Sequence, residues 1–339
     1  MNILLLQLKR IGDLILTTPA IAALRKKFPE ATLSLVVAPA VEGLLPAIPG
    51  IDKVFVVRGK ADDALDWLAL AWGSFDYCLD FTRNDRSSFL TLLSQARKRI
   101  TSDHPNLRTK IRARSYNEFV ESPVRLLHTV DYHLGLLKPL GIQDAPRTIR
   151  LDLPDSTLEK TERLLEATQT GDEFVILHPG SARAEKFWEV DRWARLIEHS
   201  VRERQMKCVL TGGRSPMERT QIAAIKAATD AEVTDLSGKT DLLMLAALVR
   251  KARLLVTVDS APMHFAAAWD TPQVVLFGPT NPFHWHPLSD SALVLLGELE
   301  GPVTKFDPRQ RAVPMNQIST QRVIDAMESL LSAPAAPAL

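Results

Sequence analysis

Short apolar runs alternate with longer amphipathic segments along almost the whole sequence. The first run, residues 2–7, leads through a glycine-containing turn into a helical pattern over residues 14–28. The same succession of strand, turn and helix recurs as far as residue 277. Continuous apolar strands that alternate with helices are typical of parallel sheets covered by helices on both faces. The sequence therefore predicts an α/β fold.

The periodicity also predicts where the individual elements lie. Strands are predicted at residues 2–7, 32–37, 53–57, 77–81, 174–178, 207–211, 232–235, 254–258 and 274–277. Helices are predicted at residues 14–28, 87–96, 128–140, 190–204, 216–229, 242–251, 262–269 and 317–331. A length of 339 residues suggests two domains, and a segment with glycine and prolines around residues 141–154 resembles a linker. We therefore predict two open parallel sheets with a cleft between them, in domains of residues 1–150 and 151–331, and a disordered tail at residues 332–339.

Composition and charge narrow the class of protein further. Hydrophobic residues make up 46% of the chain, which excludes disorder as its main state. The 41 basic and 40 acidic residues leave a net charge of +1, which disfavours nucleic-acid binding. Cys78 and Cys208 lie far apart in apolar runs, as expected in a reducing compartment. The amino terminus shows no export signal, and no apolar run reaches the length of a membrane span, so we expect a cytoplasmic protein.

One segment, residues 97–114, is strongly basic. It contains a single acidic residue, Asp103, against seven basic ones: Arg97, Lys98, Arg99, Arg108, Lys110, Arg112 and Arg114. Pro105 and Asn106 predict a loop, or a loop with a short helix. A charge run of this kind is either a solvated face or a docking patch for an anionic partner such as a phosphorylated lipid.

The turn after the first strand contains Gly12 and Asp13. A glycine there lets the backbone approach a ligand closely. Asp13 lies at or next to a helix start, where it could cap the helix or act as a general base. The turn has one glycine where the dinucleotide-binding fingerprint needs three, which argues against an NAD-dependent oxidoreductase.

Four polar, glycine-bearing loops follow strands of the second half. Residues 178–181 precede Lys186, residues 211–213 precede Glu218, residues 238–240 precede a helix, and residues 278–280 follow the strand predicted at 274–277. The segment after the strand at 254–258 adds a further group of candidates, Asp259, Ser260, Ala261 and His264.

Each of these loops has a structural interpretation beside the functional one. Glycine turns also start helices, and Glu218 could serve the helix dipole as readily as bind ribose hydroxyls. Asp259 could cap a helix, and His264 could be a core histidine. With Lys186 and backbone N–H groups, however, the loops together suit a nucleotide diphosphate. Such a ligand would face an acidic residue of the amino-terminal domain.

Several of these motifs, in this order and spacing, resemble glycosyltransferase family 9, the bacterial ADP-heptose:lipopolysaccharide heptosyltransferases. The resemblance rests on Ile11-Gly12-Asp13, on residues 178–181 with 185–188, on residues 259–268 and on residues 276–280. It covers the chain from residue 1 to about 331 and is closest to the heptosyltransferase III subgroup. The sequence departs from many relatives at Ala261, where they have glycine, and in lacking cysteines before the final helix.

The resemblance implies the GT-B architecture, in which two Rossmann-like domains with parallel sheets flank a central cleft. It implies an inverting, metal-independent transfer with Asp13 as the general base, and ADP-heptose as a substrate rather than a cofactor. Ser260, Ala261 and His264 would bind the pyrophosphate, and Gly238 and Thr240 the adenine. The full donor-binding set implied is Ser181, Lys186, Glu218, Gly238, Thr240, Asp259, Ser260, Ala261 and His264.

The acceptor implied is the inner core of lipopolysaccharide, with peripheral contact at the cytoplasmic face of the inner membrane and no nucleic acid. Arg108, Lys110 and Arg112 would meet acceptor or lipid phosphates. Two alternatives remain: a GT-B glycosyltransferase using another nucleotide sugar or acceptor, and a non-catalytic nucleotide-sugar-binding protein.

Overall fold

The computed structural model describes residues 1–59, 64–102, 111–297 and 299–332. The chain divides into two compact units, Met1–Asp152 and a second unit that begins at Leu153. The sequence places the division at residues 150 and 151, close to this point. The donor and acceptor roles of the two domains remain predictions.

The first unit is built on a six-stranded parallel sheet in the order β3-β2-β1-β4-β5-β6. Its strands are β1 (Asn2–Gln7), β2 (Thr32–Val37), β3 (Lys53–Val56), β4 (Tyr77–Asp80), β5 (Lys98–Ser102) and β6 (Glu118–Val120). Its helices are α1 (Ile11–Ile15), α2 (Thr18–Lys27), α3 (Ala64–Trp72), α4 (Asp85–Leu93) and α5 (Thr129–Gly135), with a 3-10 helix at Pro39–Ala47.

The second unit repeats this plan with the order β12-β11-β10-β7-β8-β9. Its strands are β7 (Phe174–His178), β8 (Lys207–Leu210), β9 (Thr234–Asp235), β10 (Leu254–Val258), β11 (Gln273–Phe277) and β12 (Ala292–Leu296). Its helices are α6 (Asp155–Ala167), α7 (Val190–Glu198), α8 (Pro216–Ala227), α9 (Leu242–Lys251), α10 (Pro262–Ala268) and α11 (Thr320–Leu331).

The strand order places a possible ligand site in each unit. Counted from its own first strand, each sheet has the order 3-2-1-4-5-6, which is that of Rossmann folds. The order reverses between β1 and β4 in the first unit, and between β7 and β10 in the second. Ligands of open parallel sheets bind outside the carboxyl ends of the strands at such a switch point. The prediction of two Rossmann-like parallel sheets is confirmed.

The cores explain why the sheets form where they do. Ile3 to Leu6 of β1 are all fully buried, as are Leu254 to Val256 of β10, because both strands lie inside their sheets. In the second unit Trp188 packs edge-to-face on Trp193, with ring centroids 5.3 Å apart. The indole N–H of Trp188 donates to the carbonyl of Ile318 at 2.9 Å, which fixes the chain entering α11.

Three predicted helices are interrupted in the structure. The helix expected at residues 14–28 is two helices, because Thr17 is the N-cap of α2 and Pro19 lacks the N–H that a continuous helix would need. The helix expected at residues 128–140 ends at Gly135 and resumes as a 3-10 helix that contains Pro139. The helix expected at residues 190–204 ends in a π-helical turn at His199–Glu203.

The prediction of a loop over residues 97–114 is wrong for its first part. Lys98–Ser102 is strand β5, which pairs with β4 and β6. Its charged residues lie at its exposed start, whereas Ile100, Thr101 and Ser102 are buried. Residues 103–110, with Arg108 and Lys110, lie outside the described residues, and so does the predicted tail beyond residue 332. No helix in the part of the chain that the structure describes is long and apolar enough to cross a membrane.

Candidate functional site

Asp13 lies beyond the carboxyl end of β1, at the third position of α1. Its Oδ2 accepts a long hydrogen bond of 3.4 Å from the backbone N–H of Arg10, and its Oδ1 lies 3.8 Å from the Lys9 ammonium. Arg10 occupies the N-cap position, and the bond from its N–H to Asp13 at N3 is that of a capping box, so the capping alternative for Asp13 stays open. The Asp13 side chain keeps 16% of its surface exposed, so a carboxylate with weak contacts remains open to a ligand.

A buried polar network holds the backbone beneath Asp13. The Thr17 hydroxyl donates to the Asp13 carbonyl at 2.7 Å and accepts from the Gln7 side-chain amide at 2.9 Å. His133 Nδ1 lies 3.0 Å from the Leu16 carbonyl, which makes Nδ1–H the donor there. Burial lowers the pKa of His133 to about 3, so its ring is neutral. The Asp13 turn is therefore fixed by contacts to β1 and α5.

Asp80, the last residue of β4, and Arg83, just after it, lie at the same switch point. Asp80 is fully buried and accepts from the backbone N–H groups of Thr82 and Arg83 and from the hydroxyls of Ser87 and Tyr116. Burial raises the pKa of this carboxyl. Its bonds hold Arg83 in a left-handed conformation, with φ of 60°.

Lys9 places positive charge beside Asp13, and Arg83 adds a second cation close to Lys9. The Arg83 guanidinium lies 4.8 Å from the centre of the Tyr132 ring and donates to Ser102 Oγ at 2.9 Å. Burial lowers the pKa of Lys9, an effect that Asp13 opposes and Arg83 reinforces. The sequence does not predict a role for Arg83, because nothing in the dipeptide Arg83-Asn84 indicates a left-handed backbone conformation at the end of a strand.

In the second unit, Lys186 and Asp259 form a buried ion pair at the β7–β10 switch point. Lys186 Nζ lies 2.6 Å from Asp259 Oδ2 and also donates to the Asp259 carbonyl at 3.1 Å. Thr280, from the loop after β11, donates to the same carboxylate oxygen at 2.5 Å. Asp259 makes no side-chain cap to α10, so that alternative is wrong. The structure brings together two predicted residues and adds Thr280, which the sequence only placed in a loop.

Three hydroxyl groups and one imidazole line the base of this site. The Thr257 hydroxyl contacts Ser260 Oγ at 3.1 Å and donates to the His178 carbonyl at 3.2 Å. His178 Nδ1 contacts Thr211 Oγ1 at 2.8 Å. Ser260 and Ala261 are half-buried, whereas Ser181 is buried. These contacts connect the loops after β7, β8 and β10.

His264 lies in the first turn of α10 and is buried, with no hydrogen-bond partner on its Nδ1 among the described residues. Burial lowers its pKa to about 4, although the Asp259 carboxylate raises it in part. Its ring is therefore neutral near pH 7 and could serve a ligand as a hydrogen-bond donor rather than as a cation. Both interpretations of His264, as core residue and as ligand-binding residue, agree with this burial.

The Glu218 side chain extends from the first turn of α8 and packs against the loops after β7 and β8. Its carboxylate accepts from Gly213 N at 3.2 Å and from Ser215 Oγ at 2.8 Å. A Cβ atom at Gly180 would lie 2.3 Å from Glu218 Oε1, and one at Gly213 would lie 2.4 Å from Oε2. Both glycines are thus needed for the carboxylate to occupy this position. A carboxylate has acceptor sites beyond these two bonds, so Glu218 can accept from a ligand as well.

The predicted adenine segment lies beside the same loops. Gly238 has φ of 67°, a conformation that favours glycine, and its N–H donates to the Gly212 carbonyl at 2.9 Å. Arg214 Nε donates to the Gly238 carbonyl at 3.0 Å. Thr240 is half-buried just before Asp241, which caps α9.

A groove of about 1020 Å³ in the second unit borders this cluster without containing it. Glu185 and Phe187, which flank Lys186, and Met217, which precedes Glu218, contribute to its lining. None of the predicted donor-binding residues lines the groove itself. In the first unit, Arg112 is engaged in an ion pair with Asp85 at 2.9 Å. Among residues 1–59, 64–102, 111–297 and 299–332 there is no group of three or more histidine, cysteine or acidic side chains arranged to hold a metal ion.

Comparison with known proteins gives a consistent picture. The family model of glycosyltransferase family 9 (heptosyltransferase) matches residues 67–312. Lipopolysaccharide heptosyltransferase 3 of Escherichia coli K12 is 27% identical, over 94% of this chain and 95% of the relative. Among solved structures, the glycosyl transferase family 9 protein from Veillonella parvula superposes with a TM-score of 0.82, at 25% identity and 97% coverage of both chains.

The E. coli heptosyltransferase WaaC with ADP has the same fold at lower identity. Its TM-score is 0.75, with 20% identity over 97% of this chain and all of that chain (100%). At this identity the likeness concerns the fold alone, which is the predicted GT-B-like α/β fold.

Proposed function

Because this chain belongs to glycosyltransferase family 9, the heptosyltransferases, we propose that it transfers a heptose from ADP-heptose to the inner core of lipopolysaccharide. Lipopolysaccharide heptosyltransferase 3, similar over nearly its whole length, supports this acceptor. The structures of E. coli heptosyltransferase WaaC with ADP and with ADP-2-deoxy-2-fluoro heptose support the donor. The observation that carries the proposal is the Lys186–Asp259 cluster at the β7–β10 switch point, since an enzyme of this kind must stabilise a departing diphosphate there.

The donor half of the proposal rests on three features of that cluster. Lys186 provides a buried cation, held in place by Asp259. Ser181, Ser260, Ala261 and His264 supply hydroxyl, backbone and imidazole groups from the segments that follow β7 and β10. The Glu218 carboxylate accepts hydrogen bonds from the ribose hydroxyls, and Gly238 and Thr240 contact the adenine. A cation that is fixed before the reaction stabilises the charge that develops on the leaving diphosphate without a cost of reorganisation.

The chemical step follows from these groups. The acceptor hydroxyl oxygen attacks the anomeric carbon of the heptose and forms the new glycosidic bond. The bond from that carbon to the diphosphate oxygen breaks, and ADP leaves with the electron pair. Asp13 takes the proton of the attacking hydroxyl. Because attack occurs on the face opposite the leaving group, the anomeric configuration is inverted.

Asp13 suits the role of base because its carboxylate is partly exposed and only weakly engaged. Its contacts of 3.4 and 3.8 Å leave it free to accept a hydrogen bond from the acceptor. In this scheme Lys186 supplies the positive charge, and the transfer needs no metal ion. A chelator added to purified protein is therefore expected to leave turnover unchanged.

On the acceptor side, Arg108, Lys110 and Arg112 meet phosphates of the lipopolysaccharide core, at the cytoplasmic face of the inner membrane. Charge reversal at all three should weaken the use of lipid-borne acceptor more than the binding of ADP. Equal loss of both, or loss of neither, would contradict this role.

The whole proposal is tested by two measurements. Mass spectrometry of lipopolysaccharide from a strain lacking the gene should reveal a missing heptose and its position. In vitro, ADP should protect the protein from thermal unfolding better than UDP or GDP. Better protection by UDP or GDP would point instead to another nucleotide sugar. Binding of ADP-heptose without transfer to any core acceptor would leave only a binding protein.

A further inference from the structure

The outer face of α3 is apolar over residues 67–72. Among residues 67–72, the exposed side chains are those of Trp67, Leu68, Ala69 and Trp72, and none of them is polar. Trp72 has 78% of its surface exposed. A surface helix normally turns charged side chains to water. The outer face of α3 therefore has the character of a buried face that none of the described residues covers.

Helix α4 extends this surface. Phe89 and Leu92 are both about half exposed and lie one turn apart. The Trp67 and Phe89 rings meet edge-to-face, with centroids 6.1 Å apart. Gln95, just after α4, donates to the Ala71 carbonyl at 3.1 Å and ties the ends of the two helices together. We call the continuous surface formed by Trp67, Leu68, Trp72, Phe89 and Leu92 the α3–α4 face.

Basic side chains border the α3–α4 face. Arg86 is exposed one turn before Phe89 and, although it donates to the Val57 carbonyl, its guanidinium has further N–H groups. Arg112 pairs with Asp85, which lies four residues before Phe89. Arg97 follows α4 and is 85% exposed, with a loose contact of 3.9 Å to Asp76. An apolar surface with cations at its edge complements an anionic lipid bilayer, where aromatic rings lie among head groups and arginines meet phosphates.

We propose that the α3–α4 face docks the protein on an anionic lipid bilayer, with Trp67, Trp72, Phe89 and Leu92 inserted at the head-group level. The inference rests on the proposed function in one respect, which is that a lipid-anchored acceptor would lie at the surface of such a bilayer. Docking itself needs no acceptor and no donor, so it can be measured separately.

The test uses vesicles of phosphatidylcholine with and without phosphatidylglycerol. The wild-type chain should co-sediment with the anionic vesicles, and the variant Trp72→Ser/Leu92→Ser should lose about 10-fold or more in partition coefficient, since each side chain contributes apolar area. Leu299→Ser, at a half-exposed leucine of the second unit, is the matched control and should bind as the wild type does. Arg86→Glu/Arg112→Glu should remove the preference for anionic vesicles.

Tryptophan fluorescence gives an independent readout. Trp188 and Trp193 are buried, so a shift of emission to shorter wavelength on vesicle binding should come mainly from Trp67 and Trp72. The shift should shrink in Trp72→Ser and vanish in Trp67→Ser/Trp72→Ser. Equal sedimentation of wild type and double variant would overturn the proposal. Loss of a dimer in the double variant, without any binding to vesicles, would instead identify the α3–α4 face as a contact between copies.

The outcome for docking is distinguishable from the outcome for the proposed function. The double variant should still bind ADP and still transfer heptose to an acceptor stripped of its acyl chains. If the wild-type chain binds anionic vesicles but transfers no heptose to either acceptor, docking stands and the proposed function fails.

Discussion

At the residue scale, Asp13 and Asp259 are carboxylates in opposite circumstances. Asp13 is partly exposed and its contacts are long, whereas Asp259 is buried and engaged at 2.5 to 2.6 Å by Thr280 and Lys186. A group that must accept a proton during turnover needs access to the substrate. A group that positions a cation needs to be fixed. In the proposed function, these environments favour Asp13 as the base and Asp259 as the group that positions Lys186.

Substitution of Asp13 by asparagine tests the first assignment. Turnover should fall by about 10²–10⁴-fold, because the amide keeps the shape but does not take the proton. The Kd for ADP should stay nearly unchanged. Glu42→Gln, at an exposed carboxylate paired with Arg58, is the control and should retain full activity. Near-normal turnover of Asp13→Asn with a stability loss of about 1 kcal/mol would show a structural role only.

Substitution of Lys186 by methionine tests the second assignment, in which Asp259 positions the Lys186 cation. It leaves the Asp259 carboxylate buried without its cation, so the free energy of unfolding should fall by about 3–5 kcal/mol. The double variant Lys186→Met/Asp259→Asn removes that unpaired charge and should recover much of the loss. Both variants should bind ADP weakly in calorimetric titrations. Recovery of ADP affinity in the double variant would mean that Lys186 does not contact the diphosphate.

At the element scale, the loops after β7 and β8 converge on the first turn of α8 through two glycines. Gly180→Ala should push the Glu218 carboxylate aside, because the new Cβ would lie 2.3 Å from Oε1. The end of a flexible side chain can move, so the free energy of unfolding should change by less than about 1 kcal/mol. If Glu218 binds the ribose, loss of hydrogen bonds to a charged group should weaken ADP binding by about 10–100-fold. Gly301→Ala, in open space, should change neither property.

The elements also show how far the sequence determines the fold. The strands at residues 2–7, 32–37, 174–178 and 254–258 were predictable with their observed bounds, because central parallel strands are continuous apolar runs. Strand β5 was not predictable, because it begins with the charged residues Lys98 and Arg99 and only its last three residues are buried. Strands β6 and β12 and helices α3 and α6 were also missed. Helix α3 is apolar on its outer face, so it lacks the alternation by which a surface helix is recognised.

For the candidate site, the sequence identified residues but not their partners. Lys186 and Asp259 were both predicted, yet they are 73 positions apart, and only the order of the sheet brings β7 beside β10. The Glu218 contact with Gly180 and Gly213 depends in the same way on three loops meeting. Arg83 was missed because its left-handed conformation follows from the bonds to Asp80. Strand order and backbone conformation are tertiary properties that periodicity does not encode.

At the scale of the whole molecule, each unit contains buried histidine side chains that are neutral in the folded state. In the first unit burial lowers the pKa of His133 to about 3, and in the second it lowers those of His178 and His264 to about 4. Their ordinary value is 6.5. Below that pH the unfolded chain takes up protons that the folded chain refuses. The stabilisation is therefore complete above about pH 6.5 and is lost as the pH falls towards about 4.

Acidification between about pH 6.5 and pH 4 should thus lower the free energy of unfolding, at up to about 4 kcal/mol per pH unit if all three rings contribute. Asp80 opposes this trend, because its raised pKa makes the folded state bind a proton more readily than the unfolded one. Urea denaturation across this range measures the slope. His178→Gln removes one titrating ring and should lower the slope by about one third, whatever its effect on stability at pH 7. An unchanged slope would mean that His178 is protonated in the folded state, and that Thr211 Oγ1 then accepts from it.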